Sequence, residues 1–143
     1  MKTLMNLVSE KGTDVWSVGP GEPVIDAVRA MDEKKVGALL VMEGGHLAGI
    51  VSERDVARKV ILGGKDVQSL TVRDIMTARV VCGRPDLKVN EAMAIMTDKR
   101  IRHLPVADGN RVVGIISIGD LVKSIIGDQK FMIEQLVHYI QSS

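Results

Sequence analysis

The sequence predicts an α/β fold made of two β-α-β-β-α motifs related by a pseudo-twofold and packed as one module. Three observations predict it. The chain falls on itself when slid by 65 residues, without a gap from 15 to 59. Within each copy the apolar spacing alternates between helical and strand periods. The 143 residues are 45% hydrophobic, enough for a core, yet one motif of about 50 residues buries too little surface alone.

The repeat is carried by identities. Val15 meets Val80, Pro20 meets Pro85, Ala27 meets Ala92, Met31 meets Met96, Leu39 meets Leu104 and Val41 meets Val106. Gly49, Ile50, Ser52 and Asp55 meet Gly114, Ile115, Ser117 and Asp120.

The elements follow in order. Residues 1–14 are a lead-in, with a short helix expected at 2–9 that precedes the first copy. The first motif spans 15–62 and the second 78–127. Each opens on a β-rich stretch, VWSV at 15–18 and VVCG at 80–83. A proline turn and a helix follow, because Val24, Ala27, Val28 and Met31 repeat at i, i+3, i+4, i+7, as do Val89, Ala92, Met93 and Met96. ALLVM at 38–42 and HLPVA at 103–107 read as strands. EGGH and DGNR then signal tight hairpins into LAGIVS and VVGIIS. A second helix starts at Ser52 and at Ser117. Residues 63–77, polar and glycine-containing at first, form the linker and a short helix. Residues 128–143 form a C-terminal amphipathic helix with Met132, Ile133, Leu136, Val137 and Ile140 on one face. That face packs either on the core or on a second copy.

Composition excludes several functions. Nineteen basic against 18 acidic residues give no basic surplus for nucleic acid, and 2% aromatics offer few stacking platforms. No run of about 18 apolar residues suggests a membrane span, and no signal peptide is read at the start. One cysteine, Cys82, forms no internal disulfide, which fits a reducing, cytoplasmic setting. Cys82 is expected to be a small buried residue in a strand. The three histidines lack metal-site spacing, and neither phosphate-binding glycine motif occurs, so no metal, no Rossmann dinucleotide site and no enzyme are expected.

The segments GIVSERD at 49–55 and GIISIGD at 114–120 carry the functional reading. Ser-x-x-Asp ahead of an apolar helix is first of all a capping box. A glycine inside a strand, however, implies a close approach of backbone or ligand. A helix start binds phosphate through free N–H groups, and a carboxylate one turn in accepts hydrogen bonds from a ribose diol. One segment thus suits both parts of a nucleotide.

Both copies resemble cystathionine-β-synthase (CBS) domains, and the tandem resembles a stand-alone bacterial CBS pair, or Bateman module, over about 15–126. Gly-h-h-Ser-x-x-Asp is that family's adenosine-ligand signature. DIMT at 74–77 and KRIRHLPV at 99–106 are also similar. The resemblance implies a regulatory, signal-transducing and energy-sensing module that holds AMP, ADP, ATP, S-adenosylmethionine or NAD between the motifs. It also implies a homodimer that relays occupancy to a regulated protein. It puts Asp55 and Asp120 on ribose, and Ser52 and Ser117 near ribose or phosphate. Val15, Ser17, Val36, Ala38, Met76, Val80, Cys82 and Ile101 would edge the adenine.

The copies differ. Arg54 has Gly119 as its counterpart, and Gly37–Ala38 stand where the second copy has Arg102–His103. Arg54, unfavourable near a helix N-terminus, is either a phosphate ligand or a solvated surface arginine. Arg102 and His103 either add charge to a second phosphate or form a satisfied edge pair. The competing reading of the whole chain is a ligand-independent dimerisation scaffold in which serine and aspartate only cap helices.

Overall fold

The computed structural model describes residues 1–12 and 15–142. Residues 13, 14 and 143, at the ends of the expected lead-in and C-terminal helix, lie outside the described residues. In chain order the elements are α1 (Leu4–Lys11), β1 (Ser17–Val18), α2 (Val24–Lys34), β2 (Ala38–Glu43), β3 (His46–Ser52) and α3 (Glu53–Asp55), which runs into a π-helical turn at Val56–Ile61. After a 3-10 turn at Val67–Ser69 come α4 (Val72–Ile75), α5 (Val89–Lys99), β4 (His103–Asp108), β5 (Arg111–Ser117) and α6 (Ile118–Ser142). These divide into two compact units, one of residues 15–81 and one of residues 1–12 with 82–142.

The first unit is a three-stranded sheet in the order β1-β2-β3, parallel then antiparallel. The apolar stripe of α2 buries Val24, Ala27 and Met31 against Leu39, Val41 and Val51 of the sheet. Each valine, leucine or methionine among them contributes about 1.5–3 kcal/mol when fully buried. The linker completes this core, since Val72 and Ile75 of α4 are 0% and 1% exposed within it. After α4 the chain lies along β3, with Ile50 and Thr77 exchanging N–H···O bonds of 3.0 and 2.9 Å.

The second unit repeats the plan at the same 65-residue offset. α5 buries Val89, Ala92 and Met96, the counterparts of the α2 residues. The β4–β5 hairpin pairs His103 with Ser117 as β2–β3 pairs Ala38 with Ser52, and both have a register shift after the fourth pair. Both central helices end on a left-handed residue at φ 56°, Lys35 and Arg100, whose N–H groups close the last turn. Neither is glycine, although this conformation favours it.

Three expectations are corrected, and the N-terminal helix, expected only to precede the first motif in the chain, is placed. α1 packs in the second unit, with Leu4 and Val8 buried at 0% and 1%, the Leu4 N–H on the Leu87 carbonyl at 2.8 Å, and Thr3 bridged to Lys88. It occupies the position that α4 holds in the first unit, where Thr71 bridges Pro23. Residues 80–83 form no strand, because only Gly83 pairs, in parallel, with Val106. Cys82 is exposed rather than buried, since it lies beside this single bridge and not inside a ladder. Even so, partial desolvation raises its thiol pKa. Finally, the C-terminal helix is no separate element. α6 runs unbroken from the second signature to Ser142, and Met132, Ile133, Leu136, Val137 and Ile140 are exposed, not core. Gly127 alone does not stop a helix that has no proline. Among the described residues no helix is long and apolar enough to cross a membrane.

Candidate functional site

In the first unit Ser52 is extended (φ −130°, ψ 165°) and caps α3. Its hydroxyl accepts the Asp55 N–H at 3.2 Å, and Asp55 Oδ2 accepts the Ser52 N–H at 2.9 Å and hydroxyl at 3.1 Å. The other carboxylate oxygen, Oδ1, meets Lys59 Nζ at 3.1 Å, one turn along the chain. Lys59 also donates to the Ile75 carbonyl at 2.8 Å. Arg54 is half-buried between the two signature residues. Ala38 stands directly across the sheet from Ser52. Val36 packs against the core at the end of the α2 turn, and Ser17 pairs with Leu40 on the far edge of β2. Val15 and Val80 are half-buried in irregular segments.

The second unit builds the same cap. Ser117 N–H reaches Asp120 Oδ2 at 2.8 Å, and Asp120 N–H reaches Ser117 Oγ at 3.1 Å. His103 stands across from Ser117. Exposed Arg102 is next to it, and its carbonyl accepts the Ile118 N–H at 2.9 Å. Ile101 is half-buried at the end of the α5 turn. The cation here comes from far along the chain. Lys11 of α1 meets Asp120 Oδ2 at 2.8 Å and donates to the Ile115 carbonyl at 3.2 Å. Partial burial pushes the Asp120 carboxyl up, but Lys11 and the Ser117 donors outweigh it and hold its pKa below the usual carboxylate range.

The two strand glycines do admit a close approach, but by this chain itself. A Cβ on Gly49 would lie 2.8 Å from both Met76 Sδ and the Thr77 carbonyl oxygen. One on Gly114 would lie 2.7 Å from both methyls of Val8. Met76, expected at the adenine, therefore covers the signature glycine.

Sequence reading missed both lysines. Asp55 and Lys59 sit at i, i+4, a legible ion-pair spacing. For Lys11 the signal was a second, weaker repeat. TLMN at 3–6 and TVRD at 71–74 both form capping boxes, which marks α1 and α4 as counterparts. Also missed was a cavity of about 610 Å³ beside Asp120, between α1 and α6. Its lining includes Lys2, Lys11, Asp120, Lys123, Ser124 and Phe131. Ser124 is 8% exposed, and its hydroxyl has no hydrogen-bond partner. Among the described residues no three His, Cys, Asp or Glu side chains gather as a metal site.

Two copies of one α/β motif, each presenting a capped Ser-x-x-Asp at a helix start, define a tandem-repeat module. The chain belongs to the CBS domain family, whose model matches residues 8–62 and 72–127. A solved protein with CBS domains from Burkholderia ambifaria MC40-6 is 46% identical, with a TM-score of 0.85 over 90% of this chain and 96% of that one. The mitochondrial CBS domain-containing protein CBSX3 of Arabidopsis thaliana is 40% identical over 138 residues; the match covers 93% of this chain but 66% of the relative's length. The CBS domain pair of protein MJ0100, solved with 5′-methylthioadenosine and S-adenosyl-L-methionine, shares the fold at a TM-score of 0.79. It is 22% identical over 90% of this chain and 98% of its own. Proteins built of CBS domains alone are regulatory modules.

Proposed function

We propose that the chain is a non-catalytic, cytoplasmic sensor of an adenosine-containing ligand (AMP, ADP, ATP, NAD or S-adenosylmethionine) that acts as a homodimer on a regulated protein. The observation that carries this is the duplicated signature, folded twice so that Ser52–Asp55 and Ser117–Asp120 each bring a hydroxyl and a carboxylate to a helix start. Asp55 and Asp120 take the ribose hydroxyls. Ser52 and Ser117 lie beside them, and Arg54, Arg102 and His103 are the candidates for contact with phosphate. The cavity beside Asp120 falls within the range of small-molecule sites, about 300–1,000 Å³. Occupancy is relayed only to the extent that the ligand prefers one conformation of the module over another.

The test is calorimetric titration of stripped, refolded protein with AMP, ADP, ATP, NAD and S-adenosylmethionine, beside Asp55→Asn and Asp120→Asn. Each substitution is expected to cost the ligand it holds about 1.5–3 kcal/mol, roughly 10- to 150-fold in Kd. A second reading also has an observation behind it. Both aspartates are already satisfied by their caps and by lysines, as a ligand-independent scaffold requires. Absence of binding by all five compounds at millimolar concentration selects that reading.

A further inference from the structure

We infer that the exposed stripe of α6 is the seam on which two copies of this chain pair, as a parallel, in-register two-stranded coiled coil. The inference gives the proposed homodimer a place and does not depend on nucleotide binding. From residue 126 to residue 142 every side chain of α6 is exposed. Val122, Ile126, Gln129, Ile133, Leu136 and Ile140 follow one another at spacings of four and three, the a/d pattern of a coiled coil. The apolar members are 42–69% exposed. This stripe is no extension of the core. At 100° per residue its centre lies about 100° around the helix from buried Leu121 and about 160° from buried Ser124. It begins at Val122, where the opposite face of α6 is still packed.

The stripe's own chemistry selects the occupant. Isoleucine fills each a position (126, 133, 140), with Leu136 at d, the combination that favours two parallel strands. The one polar seam residue, Gln129, meets its own copy only when the helices run parallel and in register. Lys130 lies at e, where an antiparallel pair would bring two lysines together near the midpoint. A parallel pair sets Lys130 against the g positions, Ile125, Met132 and Tyr139, which carry no charge. Met132 and Val137 widen the stripe. Each exposed side chain supplies on the order of 50–100 Å² of apolar surface. Together they approach the roughly 800 Å² per partner of a stable interface.

The experiment is sedimentation equilibrium on the whole chain, with Ile133→Asp/Leu136→Asp as the seam variant and Gln135→Asp as an off-seam control. The wild type and the control are expected to be dimers, and the seam variant a monomer with unchanged Trp16 fluorescence, since Trp16 lies outside the seam. In a Cys82→Ser background, Gln129→Cys should form a disulfide-linked dimer on mild oxidation, as a parallel d position allows. A monomeric wild type at about 100 μM overturns both the seam and the homodimer, because a specific interface of this size binds more tightly than that. A dimer that survives the seam substitutions overturns the seam and leaves the homodimer standing. A dimer that yields no Gln129→Cys cross-link overturns the parallel arrangement.

Discussion

The two signature aspartates are neutralised by different routes. In the first unit the lysine is local: Lys59 stands one turn beyond Asp55 on the same helical run. In the second, the position equivalent to Lys59 is Ser124, whose hydroxyl is buried and lacks a partner. There α1 delivers Lys11 from more than 100 residues away in sequence. The same split governs the strand glycines, which are covered by Met76 and Thr77 from the linker in one unit and by Val8 of α1 in the other. A duplicated motif can thus keep the electrostatics of its site while changing which part of the chain supplies them. The second motif is the one whose site depends on a distant helix.

The comparison is broken most severely by removing that helix's anchor. Leu4→Ala should cost about 2–5 kcal/mol in urea denaturation, as for any fully buried leucine, and should loosen Lys11 from Asp120. A milder test adds the missing Cβ. Gly49→Ala and Gly114→Ala should each cost about 1–3 kcal/mol by overpacking. Val8→Ala should recover part of the loss at Gly114 and none at Gly49, which a double-mutant cycle measures. Ser124→Ala should raise stability by about 1 kcal/mol, because it removes an unsatisfied buried hydroxyl. Lys11→Met should have the smallest effect, about 1 kcal/mol or less for a partly exposed pair. Asp120 is held below its unfolded pKa, so this contribution is present above about pH 4 and fades as pH falls through the folded value. The Lys11→Met and wild-type curves should therefore converge in acid. Adding Ser124→Lys to Lys11→Met should restore the gap by installing the first unit's arrangement in the second.

Much of the fold was legible because the repeat is written in residues that pack. The stripe of Val24, Ala27 and Met31 and that of Val89, Ala92 and Met96 give two 11-residue helices at the same offset. The glycine turns give both hairpins. Ser52 and Ser117 were readable as caps because a cap is a local interaction. What escaped depends on distance. Near Lys11 and Leu4 only the faint likeness of TLMN to TVRD hints that their partners lie beyond residue 80. The length of α6 was missed because its apolar positions read equally well as core or as contact. Cys82 was misplaced because the second opening segment matches the first in sequence but makes only one bridge.

The docking of α1 onto the second motif has a consequence for synthesis. The first unit is contiguous and can close as soon as residue 81 clears the ribosome. The second is split, with its opening helix made before the first unit and its sheet and α6 made after it. At about 5–20 residues per second, α1 waits on the order of 5–20 s for β5 and Asp120 to emerge. During that interval Leu4, Leu7 and Val8 have no native surface to cover. A short amphipathic segment is a tolerable thing to leave waiting, because it exposes no unpaired strand edge to neighbouring chains.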